Sequence, residues 1–573
     1  VLPFLCLPFL RVQGDRTTKV YNQSFDTTLG KGMFFDPRPT PPWQQRVYGK
    51  WGLAGLLLAF LLVGTVGHDP WRGADLRHFF AVWQVLQGEW LLPTALVDGT
   101  VPAAAPLYYW VAALLGMALE PLGLALHDAT RLASPLFVLI SLGCVAMAAL
   151  PACGKPWHAG AVLLGLGTLG WMLEAHQHQS LLASTATLGM TLAGAAWALH
   201  HPARAWLCAT AGFSLGFLAQ GFAILPVSLI PWLATFPAWS IVPPAKRLPL
   251  ALVTVALLAL PVAWLMAVLA SPNGSTWLAL QTPHIDPAFI RGNLLDAGND
   301  ATWVTWPLWL LALWPLRRAS DPRISRLGAL NWAILGAGLI VIAIWPPSNP
   351  SDLLILLPSL TLLATTRLER MPRGAQAAFS WFSVATAITI VVLTGLAWSA
   401  LHSDWPPGLA RHVARVAPEF EMSHSFERLI LAGILLFAWV VSSISTPASP
   451  LRPTIHWALS VSFMWSMLVV LLAPWFEHTR NFRPIIERMQ PVLQAHAPHC
   501  VSVPRREPDV RAALIYFAGV PAHFDERCPI RFERIRSPQA LQPDSSILWS
   551  MSRGQEKRQE IWLLRINTGS VDE

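Results

Sequence analysis

Asp75 opens a polar-aromatic run, ADLRHFFAVWQVLQGEW (74–90), in a chain otherwise poor in charge. A carboxylate at the head of a helix keeps its charge because the helix N-terminus favours an anion. It can take a proton from a hydroxyl as a general base, or it can simply cap the helix. Arg72, Arg77 and Arg131 can face an anionic group such as a phosphate, or can lie at headgroup depth with their stems buried. Tyr108 and Tyr109, in AAAPLYYW (103–110), read equally as the lining of a binding site or as aromatic-belt packing. EAHQHQS (174–180) holds Glu174, His176 and His178. His-x-His with a nearby carboxylate can bind a divalent ion, although the spacing alone is weak; the other readings are a polar loop facing a cavity and a plain loop.

The composition says what kind of scaffold must position these side chains. Of 573 residues, 54% are hydrophobic and 13% charged, with a mean hydropathy of +0.46. Soluble domains carry about 25% charged residues. Uncharged runs of about 20 apolar residues recur along the chain, the length that crosses a bilayer as a helix. Lipid offers backbone amides no partner, so such runs are helices. They are continuous rather than alternating, which argues against a barrel. The fold class is therefore all-α and polytopic. The net charge of +8 would point to nucleic acid in a soluble chain; here it reads as basic loops on the cytoplasmic side, and no nucleic-acid partner is expected.

The runs predict about 13 spans. They fall at 51–67, 130–151, 157–173, 181–200, 206–219, 221–239, 248–270, 303–316, 326–346, 351–366, 377–401, 428–446 and 456–475. With a cytoplasmic N-terminus, the inward loops carry Lys155, Arg204, Lys246, Arg247, Arg317, Arg318, Arg323, Arg326, Arg367, Arg370, Arg373 and Arg452. The opposite short loops are much poorer in Lys and Arg, as the positive-inside rule requires. An odd number of spans then puts the tail outside, in the periplasm of a bacterium, and the protein in the inner membrane. Cys500 and Cys528 can pair there. No CxxC or Cys/His zinc spacing occurs.

The domains follow from this. Residues 1–45 read as a poorly ordered extension, and VLPFLCLPFL lacks the basic n-region of a signal peptide. Residues 46–475 form the transmembrane domain, and 476–573 a small α/β unit outside. Outward segments at 68–128, 271–302 and 402–427 are long, and acids gather there, whereas the spans hold almost none. That weakens a transporter reading. Within the first segment, 74–90 puts Leu76, Phe79, Phe80, Trp83 and Leu86 on one helical face, and 106–123 is a second apolar helix; both suit the membrane interface. The polar run 283–300 reads as a solvated loop or as a segment that contacts a substrate, the loop being favoured. In the tail, CVSV and IRFERI predict strands, EPDVRAALIYFAGV a helix, and the stretches flanking RGQEKRQ two strands joined by a charged turn.

WRGADLRHF (71–79), GEWLLP (88–93), PLYYWVAAL (106–114) and RLASPLF (131–137) together resemble the first periplasmic loop of GT-C class lipid-linked glycosyltransferases. The members resembled are the bacterial protein O-mannosyltransferase-like and aminoarabinose–lipid A transferase-like proteins, of the family 39/83 type. LLASTATLGMTLAGAAWAL (181–199), GFLAQGFAILPVSLIP (216–231) and PSNPSDLLILLPSLTLLA (347–364) are similar to the next landmarks of that family. The resemblance covers most of 50–475.

The resemblance implies a GT-C-like fold with two interfacial helices in the first loop. It implies a sugar donor on a polyprenyl phosphate, and a lipid or glycan acceptor outside the cytoplasm. Such chemistry needs a carboxylate for the acceptor hydroxyl and positive charge for the departing phosphate. Asp75, Glu174 and His178 become the catalytic candidates. Arg72, Arg77, Tyr108, Tyr109 and Arg131 become candidates for the donor phosphate and lipid. No cofactor is implied beyond the divalent-metal reading above. Four positions depart from the family pattern. Ala74-Asp75 stands for an Asp-Glu pair, Ala104-Ala105 for Lys-Pro, Gln179 or Ser180 for a second acid with Glu174 nearby, and Ala219-Gln220-Gly221 for Thr-Lys-Gly. Because all four touch charged positions, the alternative is a catalytically degenerate scaffold that binds a lipid or a partner.

Overall fold

The structure is a computed structural model that describes residues 50–101, 104–154, 157–314, 322–345, 349–368, 371–417, 420, 426–447, 449–524, 528–535, 546–553 and 560–566. The expected extension 1–45, the loop residues Lys155, Arg317, Arg318 and Arg370, and the turn at 554–559 lie outside the described residues.

Among the described residues, eight helical stretches are long and apolar enough to cross a membrane. Three more apolar helices are shorter. The chain is thus a polytopic helical membrane protein. Among the described residues, several of the about 13 expected runs are interrupted or doubled back rather than single continuous helices.

Helix α1 (Lys50–Leu62) precedes α2 (Ala74–Leu86) and α3 (Leu107–Leu119) of the 68–128 segment. The short α4 (Leu126–Arg131) leads into α5 (Ala133–Cys153). The predicted span 157–173 breaks into α6 (Trp157–Leu166) and α7 (Leu169–Glu174). Tertiary partners satisfy the backbone freed at the break: Leu169 N donates to Trp306 O at 3.2 Å, and the Trp457 indole donates to Gly167 O at 2.6 Å.

At the bundle's centre, α8 (Leu181–Trp197) lies buried between α5 and α9 (Pro202–Gln220). Its Ala, Ser, Thr and Gly residues let neighbouring backbones approach closely. A Cβ on Gly212 of α9 would stand 2.7 Å from Thr187 O, so that crossing admits glycine alone. The expected spans 206–219 and 221–239 are the two arms of one hairpin. Gly221 turns the chain with φ +67°, and α10 (Leu225–Leu233) and α11 (Phe236–Ile241) run back along α9. Phe213 accordingly stacks on Trp232 at 4.8 Å, and Trp206 packs on Trp239 at 5.0 Å.

Helix α12 (Pro244–Leu269) exposes Leu252, Val255 and Met266, the pattern of a lipid-facing helix. α13 (Gly274–Leu280) and α14 (Pro287–Val304) fill the 271–302 segment, where 283–300 reads as loop from the sequence. Helix wins because Asp286 caps α14, accepting from Phe289 N at 2.9 Å, and Pro287 pre-sets its first turn. The Asn293 amide also ties this helix to the carbonyls of Ile342 and Trp345. After the short α15 (Leu308–Ala312) come α16 (Pro322–Ile344) and a 3-10 segment, Pro350–Leu356, that continues into α17 (Leu357–Leu368). α18 (Arg373–Ser403), α19 (Pro407–Val416), α20 (Phe426–Ser445) and α21 (Arg452–Arg480) follow.

Helix α22 (Arg483–His496) leads into the C-terminal sheet. Its elements are β1 (Val501–Val503), α23 (Pro508–Ala513), β2 (Ala522–Phe524), β3 (Ile530–Ile535), β4 (Ile547–Arg553) and β5 (Glu560–Ile566). The strand order is β2-β1-β3-β5-β4. β1 pairs in parallel with β2 and β3, whereas β5 runs antiparallel to β3 and β4. The strands expected from the sequence are present. β2 is the addition, and its three residues are too few to show alternation. A disulfide joins Cys500 and Cys528 beside β1 and β3.

This unit packs on α2, where Tyr516 meets Phe79 edge-on at 4.8 Å. Leu76, Phe79 and Phe80 are buried as the helical face predicts, but so are Asp75, His78 and Gln84. α2 is enclosed rather than half in water, because α3, the 175–180 loop and α23 cover its polar side.

Candidate active site

The chain turns into α2 at Gly73, and Asp75 falls in the first turn. Its carboxylate is 1% exposed and fully engaged. Oδ1 accepts from His178 N at 2.7 Å and from His178 Nδ1 at 2.6 Å. Oδ2 accepts from Trp71 N at 2.9 Å, and Arg131 reaches it with Nη2 at 3.3 Å. Burial opposes the charge, yet the Arg131 guanidinium and His178 hold this carboxyl well below the usual carboxylate range. Burial also lowers the pKa of His178 despite Asp75. We assign its ring as neutral, with Nδ1–H on Asp75 and Nε2 accepting from the Thr130 hydroxyl at 3.0 Å. Arg131 is buried and also donates to Thr65 O, His68 O and Asp128. These three groups form a closed polar knot.

Beside the knot lies a cavity of about 290 Å³. Ala74, Arg77 and His78 of α2, Ala104 before α3, Glu174, Gln179 and Ser180 line it from one side. Gln220, Trp303, Trp345 and the Asn349–Asp352 turn line it from the other. Of the catalytic candidates, Glu174 faces the cavity; Asp75 and His178 lie behind its wall. Glu174 Oε1 accepts from Ser351 Oγ at 2.8 Å, and Oε2 accepts from Gln177 and Gln179 Nε2 at 2.6 and 3.1 Å. Burial pushes its pKa up in spite of these bonds, and the charge of Asp75 adds to the rise. A carboxyl with a raised pKa is the stronger base once ionised.

Among the described residues, Arg77 is the one guanidinium or ammonium lining this cavity. Arg72 is exposed, with its backbone N donating to Arg480 O at 2.9 Å. Tyr108 and Tyr109 lie one layer back and fix the wall. Tyr108 Oη bonds Ser134 Oγ at 2.7 Å and accepts from Gln179 N at 3.2 Å. Tyr109 Oη bonds His78 Nδ1 at 2.8 Å. Burial, reinforced by Arg77, lowers the His78 pKa to about 3, so that ring is neutral.

The Glu174–His176–His178 metal set does not assemble. The His176 ring turns to Phe60 O and Met172 O, at 2.6 and 2.7 Å, while His178 turns to Asp75. Among the described residues, no group of three His, Cys, Asp or Glu side chains is placed to hold a metal ion.

All four departures from the resembled pattern face this one space: Ala74, Ala104, Ser180 with Gln179, and Gln220. The sequence reading missed the opposite wall. Asn349 and Asp352 form a capping box at the head of the 3-10 segment, with Asp352 Oδ2 accepting from Asn349 N at 2.8 Å. The N-P-S-D spacing before an apolar run was the available signal. Two buried polar atoms on this wall, Gln220 Oε1 and Trp345 Nε1, have no partner among the described residues.

A helical bundle with a cavity beside the first turn of α2 and a small α/β unit packed on that helix is the arrangement of a GT-C fold of the ArnT type, as comparison with solved structures shows. Two of the solved structures that the chain matches are of ArnT from Cupriavidus metallidurans. Against its apo crystal structure the TM-score is 0.57 at 15% identity. Against its structure bound to undecaprenyl phosphate the TM-score is 0.57 at 16% identity. Each match covers 91% of this chain and 98% of the other. No protein-family profile and no curated protein matches the sequence. The likeness therefore concerns the fold.

Proposed function

We propose that this chain is an inner-membrane glycosyltransferase that moves a sugar from a polyprenyl-phosphate donor to a lipid or glycan acceptor on the periplasmic side. The observation that carries the proposal is one cavity that presents both a carboxylate of raised pKa, Glu174, and a guanidinium, Arg77, in an ArnT-type fold. A structural neighbour holds undecaprenyl phosphate, which supports the donor class.

In this reading the acceptor hydroxyl attacks the anomeric carbon. The new C–O bond forms as the bond to the phosphate oxygen breaks, with inversion. The hydroxyl proton passes to Glu174, and Arg77 meets the charge left on the polyprenyl phosphate. Asp75, Arg131 and His178 hold the floor on which α2 and the 175–180 loop stand, and Tyr108 and Tyr109 hold its wall. Residues 46–475 form the catalytic membrane domain. Residues 476–573 lie in the periplasm, which agrees with the Cys500–Cys528 disulfide, and the N-terminus is cytoplasmic.

A second reading, an idle scaffold that binds the lipid without turnover, is favoured by Ala104 and Gln220 at cavity positions where the resembled family has Lys. Reconstitution with polyprenyl-phosphate sugars and candidate acceptors separates the two. Transfer by the wild type that is lost in Glu174→Gln supports the enzyme. Binding of polyprenyl phosphate with no transfer from any donor supports the scaffold.

A further inference from the structure

The C-terminal unit touches the start of α2, beside the cavity, through one short helix, α23. Asp509 Oδ2 accepts from Gly73 N at 2.8 Å, across 436 residues of sequence. Its Oδ1 lies 3.2 Å from Arg77 Nε. Gly73 is the N-cap of α2; it has φ +100° and makes no side-chain cap of its own. Asp509 therefore brings an anion to the α2 N-terminus from a distant part of the chain. Arg77 Nε also donates to Gly73 O at 3.2 Å. These contacts fall on Nε, and among the described residues no hydrogen bond takes the two terminal nitrogens of the fork. Two residues further along α23, Arg511 donates to Asp98 Oδ2 at 2.7 Å and to Thr100 Oγ1 at 3.2 Å. Thr100 adjoins Val101, which also lines the cavity.

We propose that Asp509 is a positioning residue for Arg77. The C-terminal unit, through this carboxylate, sets the guanidinium at the cavity wall where the donor phosphate binds. What Arg77 does there rests on the transferase reading; that Asp509 sets its position does not.

Asp509→Asn separates the two contacts, because the amide oxygen still accepts from Gly73 N while the charge facing Arg77 is gone. Asp509→Ala removes both, and Asp509→Glu keeps the charge. Two readouts are taken on the full chain in detergent, after thermal unfolding confirms that each variant is folded. One is transfer kinetics. The other is modification of Arg77 by phenylglyoxal, mapped by mass spectrometry and referred to the exposed Arg415 of α19.

We expect Asp509→Asn to raise the donor KM about tenfold with kcat within about twofold, and Asp509→Glu to restore most of the loss. Arg77 modification should rise relative to Arg415 in Asn and Ala and not in Glu. An unchanged donor KM together with unchanged Arg77 modification overturns the proposal. If the wild type transfers no sugar but Arg77 modification still rises in Asp509→Asn, the positioning stands and the transferase reading falls. Should Asp509→Asn not fold, Asp509→Glu decides: altered Arg77 modification in that charge-keeping variant overturns the proposal, and wild-type modification upholds it.

Discussion

His178 meets Asp75 twice, through its backbone N at 2.7 Å and its ring Nδ1 at 2.6 Å, both on Oδ1. The pair thus ties the first turn of α2 to the loop before α8, and Arg131 completes it from α4. Neither residue presents its polar group to the cavity. Asp75→Asn keeps the shape but leaves the buried Arg131 with Asp128 as its remaining carboxylate. Breaking one member of a buried ion pair costs about 3–5 kcal/mol. We expect Asp75→Asn to lower the midpoint of unfolding in detergent strongly, with activity falling in proportion to folded protein. Unchanged stability with lost transfer would return Asp75 to the chemistry.

Glu174 is the base in the proposed reaction, and its pKa is displaced upward by burial. Ionised carboxylate is the active form. The rate should therefore rise with pH on an acid limb that lies above the ordinary glutamate value of 4.5. Glu174→Gln should cost about 10²–10⁴-fold in kcat, the usual worth of a positioned base. Its effect on donor binding should be small. A pH–rate profile of the wild type and single-turnover rates of the variant check both expectations.

Much of this arrangement is legible in the sequence. Continuous apolar runs give the helical membrane fold, while alternation in IRFERI and the charged turn before EIWLLRI give the sheet. AAAPLYYW marks α3, and the aromatic face of 74–86 marks the contact with the bundle. The difficulty lies in direction. Local pattern places Asp75 at a helix start, but the inward-facing Arg131 that closes on it comes from 56 residues away. In the same way, nothing near Arg77 announces Asp509, and nothing near Glu174 announces Ser351. The hairpin at Gly221 and helix α14 show a related limit. Gly and polar residues read as loop signals until tertiary carbonyls, such as those that hold Asn293, give the helix its partners.

Ala104 lines the cavity at 4% exposure, and its carbonyl accepts from the Trp277 indole at 3.0 Å. A Lys here adds a second cation without disturbing that backbone bond. A charge-assisted contact to phosphate is worth about 1.5–3 kcal/mol, so Ala104→Lys should tighten polyprenyl-phosphate binding about tenfold or more. Ala104→Met, of similar length and no charge, is the control. Equal affinities for the two variants would mean that the phosphate does not bind beside Ala104.

The Cys500–Cys528 disulfide closes 28 residues around β1, α23 and β2. Restriction of the unfolded chain by a loop of this size is worth about 3–4 kcal/mol. Reduction should therefore loosen the C-terminal unit first, seen as faster amide exchange over 501–524 than in the bundle. Because α23 carries Asp509, donor KM should rise under the same conditions. Faster exchange spread evenly over α2 to α21 would contradict this.

His78 makes one contribution to the pH dependence of stability, and buried carboxyls of raised pKa, Glu174 among them, act against it. Burial, with Arg77 beside it, lowers its folded pKa to about 3 from an ordinary 6.5. Between those values the unfolded chain holds a proton that the folded ring refuses, so stability falls as pH falls. The contribution is fully present above pH 6.5 and declines with a limiting slope of about 1.4 kcal/mol per pH unit for one such ring. His68, lowered to about 4 by burial and Arg131, acts in the same direction. Unfolding midpoints of the wild type in detergent should therefore drop from pH 6.5 toward 4.5 relative to those of a variant without this ring. His78→Gln, which cannot take the proton, is that variant, and it should lose some stability at pH 7.5. An identical slope in wild type and variant would show that the His78 ring already carries its proton in the folded protein.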